Sequence, residues 1–62
     1  MKLIKAIHMK HWSVEIFQME NTGSFAIVGK NYKTTKGLER VVRLYDTASH
    51  VFDLIVAGME GH

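Results

Sequence analysis

Across residues 35–59 apolar side chains recur at steps of three and four. On a seven-residue repeat, Leu38, Tyr45, Phe52 and Met59 fall at one position, with Val41, Ala48 and Ile55 three residues on. That spacing predicts one amphipathic helix of about seven turns, not the two-residue alternation of a strand. The opposite face collects Glu39, Arg43, Asp46, His50 and Asp53. Glu39 precedes Arg43, and Asp46 precedes His50, at the spacing where helical side chains meet, each pair contributing about 0.2–0.5 kcal/mol when the histidine is charged. Thr34 or Thr35 offers an N-cap hydroxyl and Gly61 a C-terminal stop, while Gly37 weakens the first turns. A rival pattern runs through the same stretch. Val41, Val42, Leu44 and Tyr45 also fit a strand, with residues 46–49 capping a shorter helix from His50. The heptad continues unbroken through Asp46, which favours the longer helix.

The predicted stripe is wider than one partner can cover. Val42 and Val56 broaden one flank, Leu44 and Val51 the other, and between Val51 and Met59 only Asp53 and Gly58 are not apolar. A helix apolar nearly all round is normally covered on more than one side. The cheapest second cover is another copy of the chain, approached through Leu44, Ala48, Val51, Leu54, Ile55 and Gly58. Length argues the same way. At 62 residues the chain makes one small domain, residues 1–62, burying only about 60% of its unfolded surface. It has no Cys, so neither a disulfide nor a thiolate metal site can staple it, and a two-fold dimer is the expected substitute. With 47% hydrophobic and 23% charged residues the composition is that of a globular protein.

Upstream of the helix the pattern is that of strands. Residues 2–10 fit an opening strand, with Leu3, Ile7 and Met9 on one face and Ile4 and Ala6 on the other. In residues 12–19, Trp12, Val14 and Ile16 alternate with Ser13, Glu15 and Phe17, a β-rich run with one face on a core. Glu20, Asn21, Thr22 and Gly23 form a hairpin turn, and residues 24–28 return as its partner, Phe25 and Ile27 opposite in direction to Ala26 and Val28. A lone hairpin is marginal in water, so the first ten residues supply a third strand. Residues 29–37 then read as a polar connector, anchored by the Tyr32 ring at the sheet edge. The expected architecture is α+β: a small antiparallel sheet of two or three strands, in β-β-β-α order, packed against one long C-terminal helix.

The net charge of +2 conceals an asymmetry. Residues 30–43 hold five basic side chains, Lys30, Lys33, Lys36, Arg40 and Arg43, against the single acid Glu39. Asn31 and Tyr32 lie among them, and a helix N-terminus beside them would strengthen attraction for anions, so the segment is a candidate contact for nucleic-acid backbone or an acidic protein surface. It is not a phosphate-binding P-loop, because Gly29-Lys30 lacks the required glycine spacing. His8 and His11, three apart on a strand, would point to opposite faces, so no metal site is expected. Ser49, His50 and Asp53 have the residue types of a catalytic triad but crowd within two helical turns, where the relay geometry is impossible. No catalytic residue, cofactor or small-molecule substrate is expected. The N-terminal segment is broken by Lys2, Lys5, His8 and Lys10, unlike a signal peptide, and no apolar run is long enough to span a bilayer, so a cytoplasmic location is expected.

Trp12-Ser13-Val14-Glu15-Ile16, a turn at Gly23, the strand from Phe25 to Gly29 and a helix containing Leu44-Tyr45-Asp46-Thr47-Ala48 together are similar to AP2-type DNA-binding domains. The resemblance covers about two thirds of the chain and implies a three-stranded sheet that reads the major groove, supported by one helix. That family's sheet presents arginines to DNA. The strands expected here carry none, so no binding residue transfers. The composite expectation is a non-enzymatic regulatory or inhibitory binding protein, of the kind found among small phage and mobile-element accessory proteins, acting as a homodimer on another macromolecule. A nucleic-acid-binding protein using the basic segment is the first alternative, a structural subunit of a larger assembly the second.

Overall fold

In the computed structural model, which describes residues 1–61, four strands and one helix follow in sequence: β1 (Lys2–His8), β2 (Trp12–Gln18), β3 (Phe25–Asn31), β4 (Lys36–Val42) and α1 (Tyr45–Glu60). The strands form one antiparallel sheet in the order β1-β2-β3-β4, with α1 across the inner faces of β2, β3 and β4. The α+β class and the first three strands agree with the sequence reading. The strand count and the helix start do not.

The span read as the first half of the helix is a fourth strand. β4 pairs with β3 without a register break, from Phe25 opposite Val42 to Asn31 opposite Lys36. Leu38 and Val42 are four apart, a separation that puts two side chains on one face of a helix and equally of a strand. Pairing decides between them. As a strand, residues 36–42 satisfy the backbone groups of β3 that would otherwise be left at an open edge, a gain no local pattern registers. Thr34 and Thr35 therefore cap nothing; they belong to the four-residue loop 32–35. There Asn31 Oδ1 accepts from the backbone N–H groups of Lys33 and Thr34, at 3.0 and 3.1 Å, the local turn that asparagine favours. Thr35 closes the loop at φ 59°, a conformation unusual for a β-branched residue.

The helix begins at Tyr45, later than the first reading and earlier than its rival. Its N-cap is Leu44, extended at φ −108° and ψ 140° and offering no side-chain cap. The Gly61 stop stands, though at φ −73° rather than in the left-handed region; its N–H donates to the Ala57 carbonyl.

Register assigns every strand residue to a face. The inner face, under the helix, carries Trp12, Val14 and Ile16 of β2, Phe25, Ile27 and Gly29 of β3, and Leu38, Arg40 and Val42 of β4. Val14, Ile16 and Ile27 are wholly buried with Ala48, and Phe52 is nearly so. Each large side chain among them contributes roughly 1.5–3 kcal/mol. β1 departs from the expected alternation through a bulge between Leu3 and Lys5, which sends Leu3 to the outer face beside Phe17 and leaves Ile7 inside. The Lys5 ammonium lies 4.7 Å from the centre of the Phe52 ring, covering the core on the side the helix does not reach.

Candidate functional site

Two surface regions stand out. The first is the end formed by the loops after β1 and β3. The Tyr32 N–H donates to the His11 carbonyl at 2.8 Å, tying the loops together. Lys30, on the outer face, Lys36, on the inner face, and Lys33 thereby share this end of the sheet with Lys10 and His11, two residues the charge pattern of residues 30–43 did not include. Tyr32 is 53% exposed, so its ring is not the buried anchor expected. It is held by its hydroxyl instead, 2.8 Å from the Ser13 hydroxyl. The helix N-terminus expected beside these lysines lies at the far end. α1 runs from Tyr45, whose ring meets Phe25 edge-on at 5.6 Å, to Met59 beside Gly29, so its C-terminus and Glu60 face the lysine end. A helix C-terminus repels anions. The basic segment is also divided: Arg40 sits mid-strand on the inner face, donating Nη1 to the Glu39 carbonyl at 2.9 Å, and Arg43 lies past the other end of β4.

The second region is a groove of about 350 Å³ between α1 and β4, lined by Leu38, Arg40, Val41, Val42, Val51, Leu54 and Ile55. It contains three of the six residues expected at a second-copy interface. Ala48, a fourth, is taken up by the chain's own core. Gly58 is exposed with open space around it, and Leu44 is 67% exposed at the helix start. Leu54 at 59% and Val41 at 56% complete a run of large apolar side chains facing water along one edge. The volume falls within the range of small-molecule sites, but such sites set several polar groups around an enclosed ligand. This groove is open and offers one, Arg40.

No helix covers the outer face of the sheet, although Ser13 and Ala26 on it are buried among neighbouring side chains. One row across all four strands is apolar, Leu3, Phe17, Ala26 and Val41 in register; the next carries Ala6, Glu15, Val28 and Glu39; the third His8, Ser13, Lys30 and Gly37. Two carboxylates in its middle row, Glu15 and Glu39, disfavour a nucleic-acid backbone there. The His8 Nε2 lies 3.7 Å from a Glu15 carboxylate oxygen. Ser49 and His50 are adjacent on α1 and Asp53 lies about one turn on, with His50 and Asp53 in solvent. Among the described residues no three His, Asp or Glu side chains converge as a metal site would need, and no helix is long and apolar enough to cross a membrane.

No protein family, curated protein or solved structure matches the chain. The likeness to AP2-type domains therefore remains one of short motifs. The one strand arginine the structure adds, Arg40, points to the helix side of the sheet, not to the face that would read DNA.

Proposed function

We propose that the protein is a non-catalytic binding module that works by contact with other macromolecules, and that its first such contact is with a second copy of itself through the α1–β4 edge. One observation carries this reading. Val41 and Leu54, each more than half exposed, line a groove of otherwise mostly apolar side chains beside the free edge of β4, and Leu44, also more than half exposed, follows the end of that strand. Apolar side chains scattered singly need no explanation, but a contiguous patch marks an interface. The patch differs from the one expected of a longer helix, because the shorter α1 hides Ala48 and brings in Leu38, Val41 and Val42. As a dimer the module would act as a regulator or inhibitor of a larger complex, with its outer sheet face free for that partner.

Sedimentation across a concentration series tests the reading. A monomer–dimer equilibrium at micromolar concentration, moved to monomer by Leu54→Glu without loss of secondary structure, is expected; a wild-type chain monomeric throughout the series refutes it.

Contact with nucleic-acid backbone is the second reading, favoured by the position of Lys10, Lys30, Lys33 and Lys36 at one end of the sheet. It predicts salt-dependent retention on immobilised nucleic acid that falls when Lys33 and Lys36 become Glu.

A further inference from the structure

We infer that the second copy docks by pairing β4 with β4 in antiparallel register about Val41, so that two sheets join into one of eight strands and Leu44 of each copy enters the α1–β4 groove of the other. This inference rests on the self-association proposed above and specifies its geometry.

The β4 edge is built to accept a strand. Natural sheets protect their edges with bulges and charges, and β1 carries a bulge at Leu3 to Lys5. β4 has no bulge and no Pro, and the chain beyond it turns back over its own sheet, where Tyr45 meets Phe25. The Glu39 carbonyl takes a hydrogen bond from the Arg40 guanidinium, so it points off the edge and not into β3. By alternation the backbone groups of Val41 point outward as well, available to another strand.

Side chains select the register. A two-fold axis normal to the sheet places one residue opposite its own copy and keeps both helices on one side. Centred on Glu39 or on Arg40, the pairing sets like charges face to face, and centred on Leu38 it sets Lys36 against Arg40 of the other copy; directly opposed like charges destabilise a strand pair. Centred on Val42, it sets Arg40 against Leu44 and Glu39 against Tyr45, leaving both charges without a partner. Centred on Val41, it sets Val41 on Val41 and Arg40 beside Val42 within the strands, and brings Arg43 and the extended Leu44, which follow β4 where the chain bends, toward Glu39 and Leu38 of the other copy. The outer apolar row then continues unbroken from Leu3 of one copy to Leu3 of the other. Because Leu38 lines the groove, the residue opposite it is delivered into that groove.

The helix N-cap supplies a separate indication. Ser, Thr, Asp and Asn are strongly preferred there because their oxygen accepts a free N–H of the first turn. Leu44 occupies that position with no cap bond, extended and 67% exposed. A folded monomer gains nothing from leucine at this place; the docked pair buries it.

The chain has no Cys, so engineered thiols report register directly. Opposed Cα atoms in an antiparallel pair lie about 4.5–5.5 Å apart, within disulfide reach, whereas Glu39 would be offset from its own copy by four residues, well beyond the limit of about 7 Å. Under mild oxidation Val41→Cys should give a covalent dimer and Glu39→Cys should not. Glu39→Arg and Arg43→Glu should each weaken dimerisation at least tenfold, and the two together should restore it. Leu44→Ser should weaken dimerisation similarly while circular dichroism shows the monomer folded. If the wild type dimerises but Val41→Cys and Glu39→Cys cross-link equally, or the charge exchange fails to rescue, this register is overturned and self-association stands. A wild type that never dimerises overturns both.

Discussion

Gly29 sits on the inner face of β3 directly beneath α1. A methyl group there would meet Ile55 Cγ2 at 3.0 Å and Met59 Cε at 3.4 Å. The methionine methyl can swing aside, but Ile55 Cγ2 branches from Cβ and is held by the stiff helical χ1 of a β-branched residue. Gly29→Ala therefore forces the helix away from the sheet, at an overpacking cost of about 1–3 kcal/mol. Removing glycine from a strand interior returns roughly 0.5–1 kcal/mol, so the net loss is about 1 kcal/mol. For a domain of this size that lowers Tm by roughly 4–8 °C. Ile55→Ala removes the clashing methyl, and the two remaining neighbours, the mobile Met59 Cε at 3.4 Å and Leu38 Cβ at 4.0 Å, are in ordinary contact. In that background Gly29→Ala should stabilise by about 0.5–1 kcal/mol, the backbone gain alone. Thermal unfolding of the four proteins at one fixed concentration closes the cycle. An alanine that stabilises the wild type, or that destabilises both backgrounds equally, would show that Ile55 does not set the height of the helix above β3.

Three further outcomes follow from individual contacts. Tyr32→Phe leaves the buried Ser13 hydroxyl without its partner and should cost about 1–3 kcal/mol, while Tyr32→Phe combined with Ser13→Ala should recover most of the loss; denaturant titration reads both. Thr35→Gly removes a β-branched side chain from φ 59° and should stabilise by about 1 kcal/mol, visible as a raised denaturant midpoint with unchanged slope. Asn31→Ala removes the acceptor for two loop N–H groups and should cost about 1 kcal/mol, with faster amide exchange at Lys33 and Thr34 as the local readout.

What sequence patterning could read was the part of the fold whose signal is local. Trp12, Val14 and Ile16 alternate over a single strand, Gly23 takes the positive φ its hairpin requires, and Ala48, Phe52, Ile55 and Met59 hold helical spacing within one true helix. The failure falls on residues 36–42, where two periods coincide at Leu38 and Val42 and where the turn preceding them is disguised. Hairpin loops are recognised by glycine or asparagine at positive φ. Here Thr35 occupies that conformation, and a pair of threonines before an apolar run reads as a helix cap. Asn31 was the one visible turn signal, placed a residue before the loop where its side chain could accept from the two N–H groups that follow.

The site was less legible than the fold because strand pairing rearranges linear clusters. Residues 30–43 are a basic run in sequence, but folding back as a hairpin puts Lys30 opposite Gly37 and sends Arg40 and Arg43 toward the other end, while Lys10 and His11 arrive from a different loop. Apolar surface is redistributed in the same way. The helical stripe seemed too wide because it counted Leu38, Val41 and Val42 as helix. As β4, Leu38 and Val42 face α1 and are half-buried while Val41 faces out, and the surplus moves to the edge where strand meets helix. Val41 and Leu44 then acquire a shared property that no periodicity contains: they flank the free backbone of the one unbulged edge. An apolar flank and unpaired strand hydrogen bonds on the same edge are satisfied together by another strand. A separate helix would cover the apolar flank and leave the backbone of β4 bare.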